Sequence, residues 1–138
     1  MPRDFKKINR IIDANINRAK EGLRVCEEIA RFILNNRSLV FGFRRLRHKI
    51  DTLTKDLPQS KVLISERESL KDIGKDIHTY ELRRKDINDV FFANIQRAKE
   101  SIRVLEEFSK LINKDIPLRF KKIRYAIYEI EKRMLLHL

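Results

Sequence analysis

Residues 14–29 read ANINRAKEGLRVCEEI, and residues 93–108 read ANIQRAKESIRVLEEF. Between 14–34 and 93–113, at a constant offset of 79, 12 of 21 positions are identical. A second register follows at an offset of 77, with FRRLRHKI (43–50) over FKKIRYAI (120–127). Each half of the chain must therefore form the same substructure, and the two copies must fit one another.

The spacing of apolar residues says what that substructure is. From Asp4 to about Leu34 they fall at helical intervals: Ile8, Ile12, Ile16, Ala19, Leu23, Cys26, Ala30 and Ile33. Asp4 is a candidate cap and NNRS a stop. A second stripe begins at Ser38, runs through Leu39, Phe43, Leu46, Ile50, Leu53 and Leu57, and ends at Pro58. Asp86 is placed to cap a third helix, and Asp115 a fourth that reaches near Leu136 with Pro117 in its first turn. Neither hairpin can bury its stripe alone. The economical fold is all-α: a duplicated helical hairpin closing into a pseudo-twofold four-helix bundle. It makes one domain of residues 1–138, with hairpins at 4–57 and 86–137 and an irregular insert at 58–85. Connections that long in a small domain are often functional.

The polar letters repeat as well, and a core does not require that. On a wheel of about 100° per residue, Asn15 and Asn94 fall inside their apolar stripes. An amide there costs about 1–3 kcal/mol unless its hydrogen bonds are met. Arg18 and Arg97 lie at the stripe edge, with Glu21 and Glu100 one turn further on. Guanidinium and amide together suit a phosphate, so Asn15 and Asn94 are candidate phosphate ligands and Arg18 and Arg97 candidate catalytic residues. Arg47 and Arg124 form a second duplicated pair, either phosphate ligands or cations snorkelling over the bundle end. Arg24 with Glu27 and Glu28, and Arg103 with Glu106 and Glu107, read as intrahelical ion pairs. Gly22 and Ser101 keep the adjacent surface small, so something could approach the backbone there. In the insert, Arg67, Asp72 and Gly74 could place a cation, a magnesium ligand and a tight turn together, with Arg67 and Asp72 gaining partners only when ligand binds.

A formal net charge of +12 favours anionic partners. Glu interleaves with Lys and Arg along the helices, which argues against a nucleic-acid face and toward small phosphorylated molecules. One cysteine excludes an internal disulfide and a Cys-rich zinc site. No apolar run approaches a membrane span, so a cytoplasmic location is the plain expectation. The glycine-rich phosphate loops, the HExxH helix and the nucleophile elbow are all missing. With only Gly22, Gly42 and Gly74, any nucleotide must be held by side chains and helix ends.

The segments IIDANINRAKEGLRVCEEIARFIL, LRH, Arg67…DIG and VFFANIQRAKESIRVLEEFSK together resemble the hydroxymethylpyrimidine phosphate kinase family. This is a helical domain found alone or fused ahead of the barrel of bacterial thiamine-phosphate synthase. The resemblance spans nearly the whole chain. It implies transfer of the γ-phosphate of ATP, with magnesium, onto 4-amino-5-hydroxymethyl-2-methylpyrimidine phosphate in thiamine biosynthesis. Read with the residues above, it makes Asp72, Glu21 and Glu100 the candidate Mg2+ ligands. Glu68 and Ser69 stand where related chains more often carry Asp and Thr. Two alternatives stay open: a non-catalytic partner domain of a thiamine-phosphate synthase, and a basic nucleic-acid-binding module. Homo-oligomerisation and association with the synthase are both compatible with the sequence, and no barrel-length segment follows within these residues.

Overall fold

The computed structural model describes residues 4–76 and 82–138; residues 77–81 of the expected insert lie outside the described residues. Four long helices carry the fold: α1 (Phe5–Glu28), α2 (Arg37–Asp56), α3 (Ile87–Ser109) and α4 (Ile116–Leu135). α1 is prolonged by a π-helical turn, Ile29–Ile33, and the insert contributes a short 3-10 turn, Ser69–Lys71. No strand is present among the described residues. The duplicated hairpin and the four-helix bundle are both observed, and the repeat is visible in the core. Ala19 and Ala98, Leu23 and Ile102, Cys26 and Leu105, Phe43 and Phe120, Ile50 and Ile127 are all fully buried as equivalent pairs.

Local chemistry sets the helix ends, not always where the sequence suggested. Asp86 caps α3 as expected, its side chain accepting from the Asp89 N–H. Asp4 makes no side-chain cap; its carboxylate faces Lys7 at 3.9 Å instead. Asp115 does not cap α4 either, because Asn113 Oδ1 accepts from the backbone N–H groups of Asp115 and Ile116. Between α1 and α2, the Leu34 N–H reaches back to the Ile29 carbonyl and the Asn36 N–H to that of Ala30. That wide turn needs a left-handed residue, and Asn35 supplies it at φ 49°. Asn36 then caps α2 through its side chain, accepting from the Leu39 N–H. Leu57 is extended before Pro58, which ends α2.

The most intimate helix crossing is that of α1 with α3. They run antiparallel, so Gly22 lies against Asn94 and Ala98, and Cys26 Sγ lies 4.0 Å from the Phe91 carbonyl. Burial pushes the Cys26 thiol up to about 12, so it serves here as a small apolar side chain. A Cβ added at Gly22 would sit 2.7 Å from the Asn94 carbonyl oxygen. What approaches the backbone at this small residue is thus the other copy of the repeat. Ser101, the equivalent of Gly22, is also buried.

Each hairpin is braced by its own ion pairs. Arg47 on α2 donates from Nε to Glu27 Oε1 on α1 at 2.9 Å, and Arg124 on α4 donates to Glu106 Oε2 on α3 at 2.8 Å. Both carboxylates are nearly fully buried. Lys20 pairs with Asp51 at 2.6 Å and Lys99 with Glu131 at 2.9 Å, so a duplicated lysine spans each hairpin a second time. Arg47 and Arg124, expected as phosphate ligands or snorkelling cations, each pair with a buried carboxylate across their own hairpin. Arg24 pairs with Glu28, while Arg103 reaches both Glu106 and Glu107. Burial would raise the Glu106 carboxyl, but hydrogen bonds and charge from Arg124, aided by Arg103, hold it below its ordinary value. The same contact with Glu106 raises the Arg124 guanidinium.

Gly22→Ala should destabilise the fold by about 1–3 kcal/mol through overpacking, despite gaining about 1 kcal/mol in helix propensity. Ser101→Gly should cost no more than about 1 kcal/mol, a contrast that urea unfolding can read. Arg124→Ala should cost about 1–3 kcal/mol, because it removes the main partner of the buried Glu106 carboxylate and leaves only the exposed Arg103 beside it. Since Glu106 titrates lower in the folded protein than unfolded, its contribution is present above the unfolded value and lost as pH falls through the folded one. The melting temperature should therefore fall on acidification below about pH 4.5, and Arg124→Ala should flatten that fall.

Candidate functional site

The insert folds back over the first half of α1, and three polar links hold it there. Asn9, buried on α1, donates from Nδ2 to Glu66 Oε1 at 3.1 Å. Arg67 grips Asp13 in a bidentate pair, Nε to Oδ2 at 2.6 Å and Nη2 to Oδ1 at 2.8 Å. Arg10 Nη1 lies 3.5 Å from Glu68 Oε2. Below them Leu63 is buried against the bundle. The hydrogen bond that Arg67 donates to Asp13 is the main cause of the raised Arg67 guanidinium. Arg67 thus has its partner within the fold, contrary to the expectation that it gains one only with ligand. Asp72 is also engaged: its Oδ1 accepts from the Gly74 N–H at 2.8 Å, the tight turn that the sequence implied.

Between α1 and this insert lies a cleft of about 640 Å³. Its walls include Ile11, Ala14, Asn15, Arg18, Arg67 and Asp72. Four of the residues singled out from the sequence therefore meet in one place. Asn15 is buried and donates Nδ2 to the Ile11 carbonyl at 2.8 Å, while its Oδ1 accepts from no described residue. Arg18 is exposed and makes no hydrogen bond or ion pair with any described residue. Other charges of the cleft are spent on one another: Arg67 on Asp13, Arg10 on Glu68, and Lys7 on Asp4 just outside. Arg18 is what remains to meet an anion.

The second copy is not placed this way. Asn94 donates to the Val90 carbonyl at 2.8 Å, repeating the back-bond of Asn15, and Arg97 is exposed without a partner among the described residues. Neither lines the cleft. Glu21 is exposed, and Glu100 accepts a long 3.5 Å hydrogen bond from Gln96. No three His, Cys, Asp or Glu side chains converge on a metal position among the described residues, so Asp72, Glu21 and Glu100 do not form a joint magnesium site. No described helix is long and apolar enough to cross a membrane.

Asp13, Asn9 and Glu66 were missed by sequence reasoning, although a signal was present. Asp13 stands where the second copy has Phe92, and Arg10 where it has Asp89. The insert docks where the repeat breaks.

Comparison with known proteins adds the family. The thiamine-phosphate synthase of Nostoc punctiforme is 38% identical over 131 residues, which are 94% of this chain and 36% of that protein. That of Synechocystis sp. is 38% identical over 129 residues, 93% of this chain and 36% of its own. The synthase of Rhodopirellula baltica is 36% identical over 136 residues, covering 95% and 36%. The chain thus spans about a third of the length of these relatives. No solved structure is a significant match. The relatives overturn one expectation: they are named for a synthase, a different enzyme from the hydroxymethylpyrimidine phosphate kinase that the resemblance implied. Residues 10–133, which take in the insert and most of both hairpins and of the cleft lining, match the ThiD2 family, and the chain belongs to it.

Proposed function

We propose that this chain is a non-catalytic helical partner domain of a thiamine-phosphate synthase, acting in thiamine biosynthesis. The observation that carries the reading is coverage. Nearly all of this chain aligns with about 36% of each synthase, as a self-contained domain of a longer protein would. The fold supports it, since both hairpins bury their stripes against each other and leave a finished bundle.

Within that role the α1–insert cleft holds a phosphate-bearing pyrimidine precursor of the synthase. Arg18 offers a guanidinium with no competing carboxylate, and Asn15 an amide oxygen and a second N–H at the same wall. Ile11 and Ala14 offer apolar surface to a ring. The Arg67–Asp13 pair acts as a positioning contact, since it fixes the insert that forms the opposite wall.

Two measurements check this. Mixed with a thiamine-phosphate synthase barrel that lacks a helical domain, the chain should co-elute in gel filtration. Separate elution, with no change in the barrel's rate of thiamine phosphate formation, would refute the partner role. In calorimetry, 4-amino-5-hydroxymethyl-2-methylpyrimidine phosphate should bind, and Arg18→Ala should weaken it about 10- to 100-fold, the worth of one charge-assisted contact. Arg97→Ala should leave that affinity unchanged, because Arg97 lies outside the cleft. Equal losses in both variants would mean that the cleft is not the site.

A further inference from the structure

The turns that follow α2 carry a buried polar cluster that takes no part in the cleft lining. The Val62 N–H reaches the Gln59 carbonyl at 3.0 Å and the Glu66 N–H that of Val62 at 3.1 Å, so residues 59–66 wind much as a helix does. Winding of that kind puts Gln59, Leu63 and Glu66 on one face. Burial agrees: Gln59 and Leu63 are buried, while Lys61, Val62, Ile64 and Ser65 are exposed. Opposite that face stands Asn9 of α1, fully buried, whose Nδ2 donates to Glu66 Oε1 at 3.1 Å.

This one hydrogen bond leaves most of the cluster unsatisfied. Asn9 Oδ1, Glu66 Oε2 and both amide atoms of Gln59 are buried and bond to no described residue. Glu27 Oε2 also lacks a hydrogen bond, but the Arg44 guanidinium lies 4.0 Å away. No such cation stands beside Glu66 among the described residues. Arg67 is committed to Asp13, Arg10 to Glu68 and Lys7 to Asp4. A buried oxygen without a donor is costly, and a buried carboxylate without a counter-charge more so.

Asn9 Oδ1 and Glu66 Oε2 belong to two groups already joined by a hydrogen bond, so one small ion can reach both. A water molecule would satisfy the oxygens and leave the charge; a cation answers both needs. The donors are one carboxylate oxygen and neutral amide oxygens, a hard set whose single negative charge balances one positive charge. Magnesium suits it poorly, because that ion gives up its waters reluctantly and demands near-octahedral geometry. We propose that the junction of α1 with the 59–66 turns binds a monovalent alkali cation, held by Asn9 Oδ1 and Glu66 Oε2 with Gln59 Oε1 as a further ligand. Its effect falls on the insert. Glu66 precedes Arg67, so a cation that fastens Glu66 to α1 also steadies the grip of Arg67 on Asp13. The site shares no residue with the cleft lining and does not depend on the ligand assigned there.

Potassium is the probe, with tetramethylammonium, too large for a buried site, as the reference at equal chloride concentration. Potassium should raise the melting temperature of the intact chain by about 3–6 °C, levelling off as a single site fills. It should also slow amide exchange over residues 59–67, a measurement that needs no variant. Glu66→Gln keeps the shape and removes the charge, and should melt at the same temperature in both salts. In tetramethylammonium it should be no less stable than the unaltered chain, because a carboxylate without its counter-ion has gone. Glu129→Gln, which neutralises an exposed carboxylate on α4, should keep the full potassium response. Equal melting and equal exchange of the unaltered chain in the two salts overturns the proposal, since water then fills the cluster. Loss of the response in Glu129→Gln as well would mean ionic strength alone. Stabilisation by magnesium but not by potassium would mean a divalent site, and either result likewise overturns it.

Discussion

The crossing of α1 over α3 is the contact on which the rest of the bundle depends. It joins the two copies of the repeat, and it can be close only because Gly22 presents no Cβ to the Asn94 carbonyl. Close approach brings the equivalent residues of the two copies, Ala19 and Ala98, Leu23 and Ile102, into one buried core. Each second helix then closes over its own first helix. Packing at this density transmits small displacements, so the site on the outer side of α1 inherits its geometry from this crossing.

Buried charge gives the duplicated hairpins their register. A bundle of apolar stripes alone tolerates helices sliding along one another, whereas a carboxylate in the dry interior must find its guanidinium. Glu27 with Arg47 and Glu106 with Arg124 enforce that match once in each hairpin, and the lysine pairs enforce it again. Here symmetry serves structure. Where the repeat departs from itself, it makes a site: Asp13 in place of Phe92 receives Arg67, the insert settles on α1 alone, and a cleft forms beside only one of the two Asn/Arg pairs.

A second cleft lies between α2 and α4, and it differs from the first in its electrostatics. Beside the insert, cations and carboxylates mostly cancel, which leaves a site of local polarity around Arg18. Between α2 and α4 the lining holds Arg44, Arg45, Lys49, Arg119 and Lys122 and no carboxylate, so part of the chain's positive charge faces one concavity. A small bundle can carry this because its buried carboxylates are each met by arginine, and the cations left over lie outside the core.

The helices, their pairing and the duplication were legible from the residues alone, because hydrophobic spacing and Pro or Asn punctuation are local properties of a chain. The sequence also marked Asn15, Arg18, Arg67 and Asp72, all four of which line the cleft. Caps were only partly legible. Asp86 has no competitor for its helix end, whereas Asn113 displaces Asp115 at α4. The roles of Arg47 and Arg124 were not legible at all, since their partners Glu27 and Glu106 lie on another helix, 20 and 18 residues away, and a wheel drawn for one helix cannot show them. That Asn94 and Arg97 stand apart from the cleft follows from the packing of the insert and not from the repeat. Identical residues acquire different surroundings once a single insert covers one copy and leaves the other open.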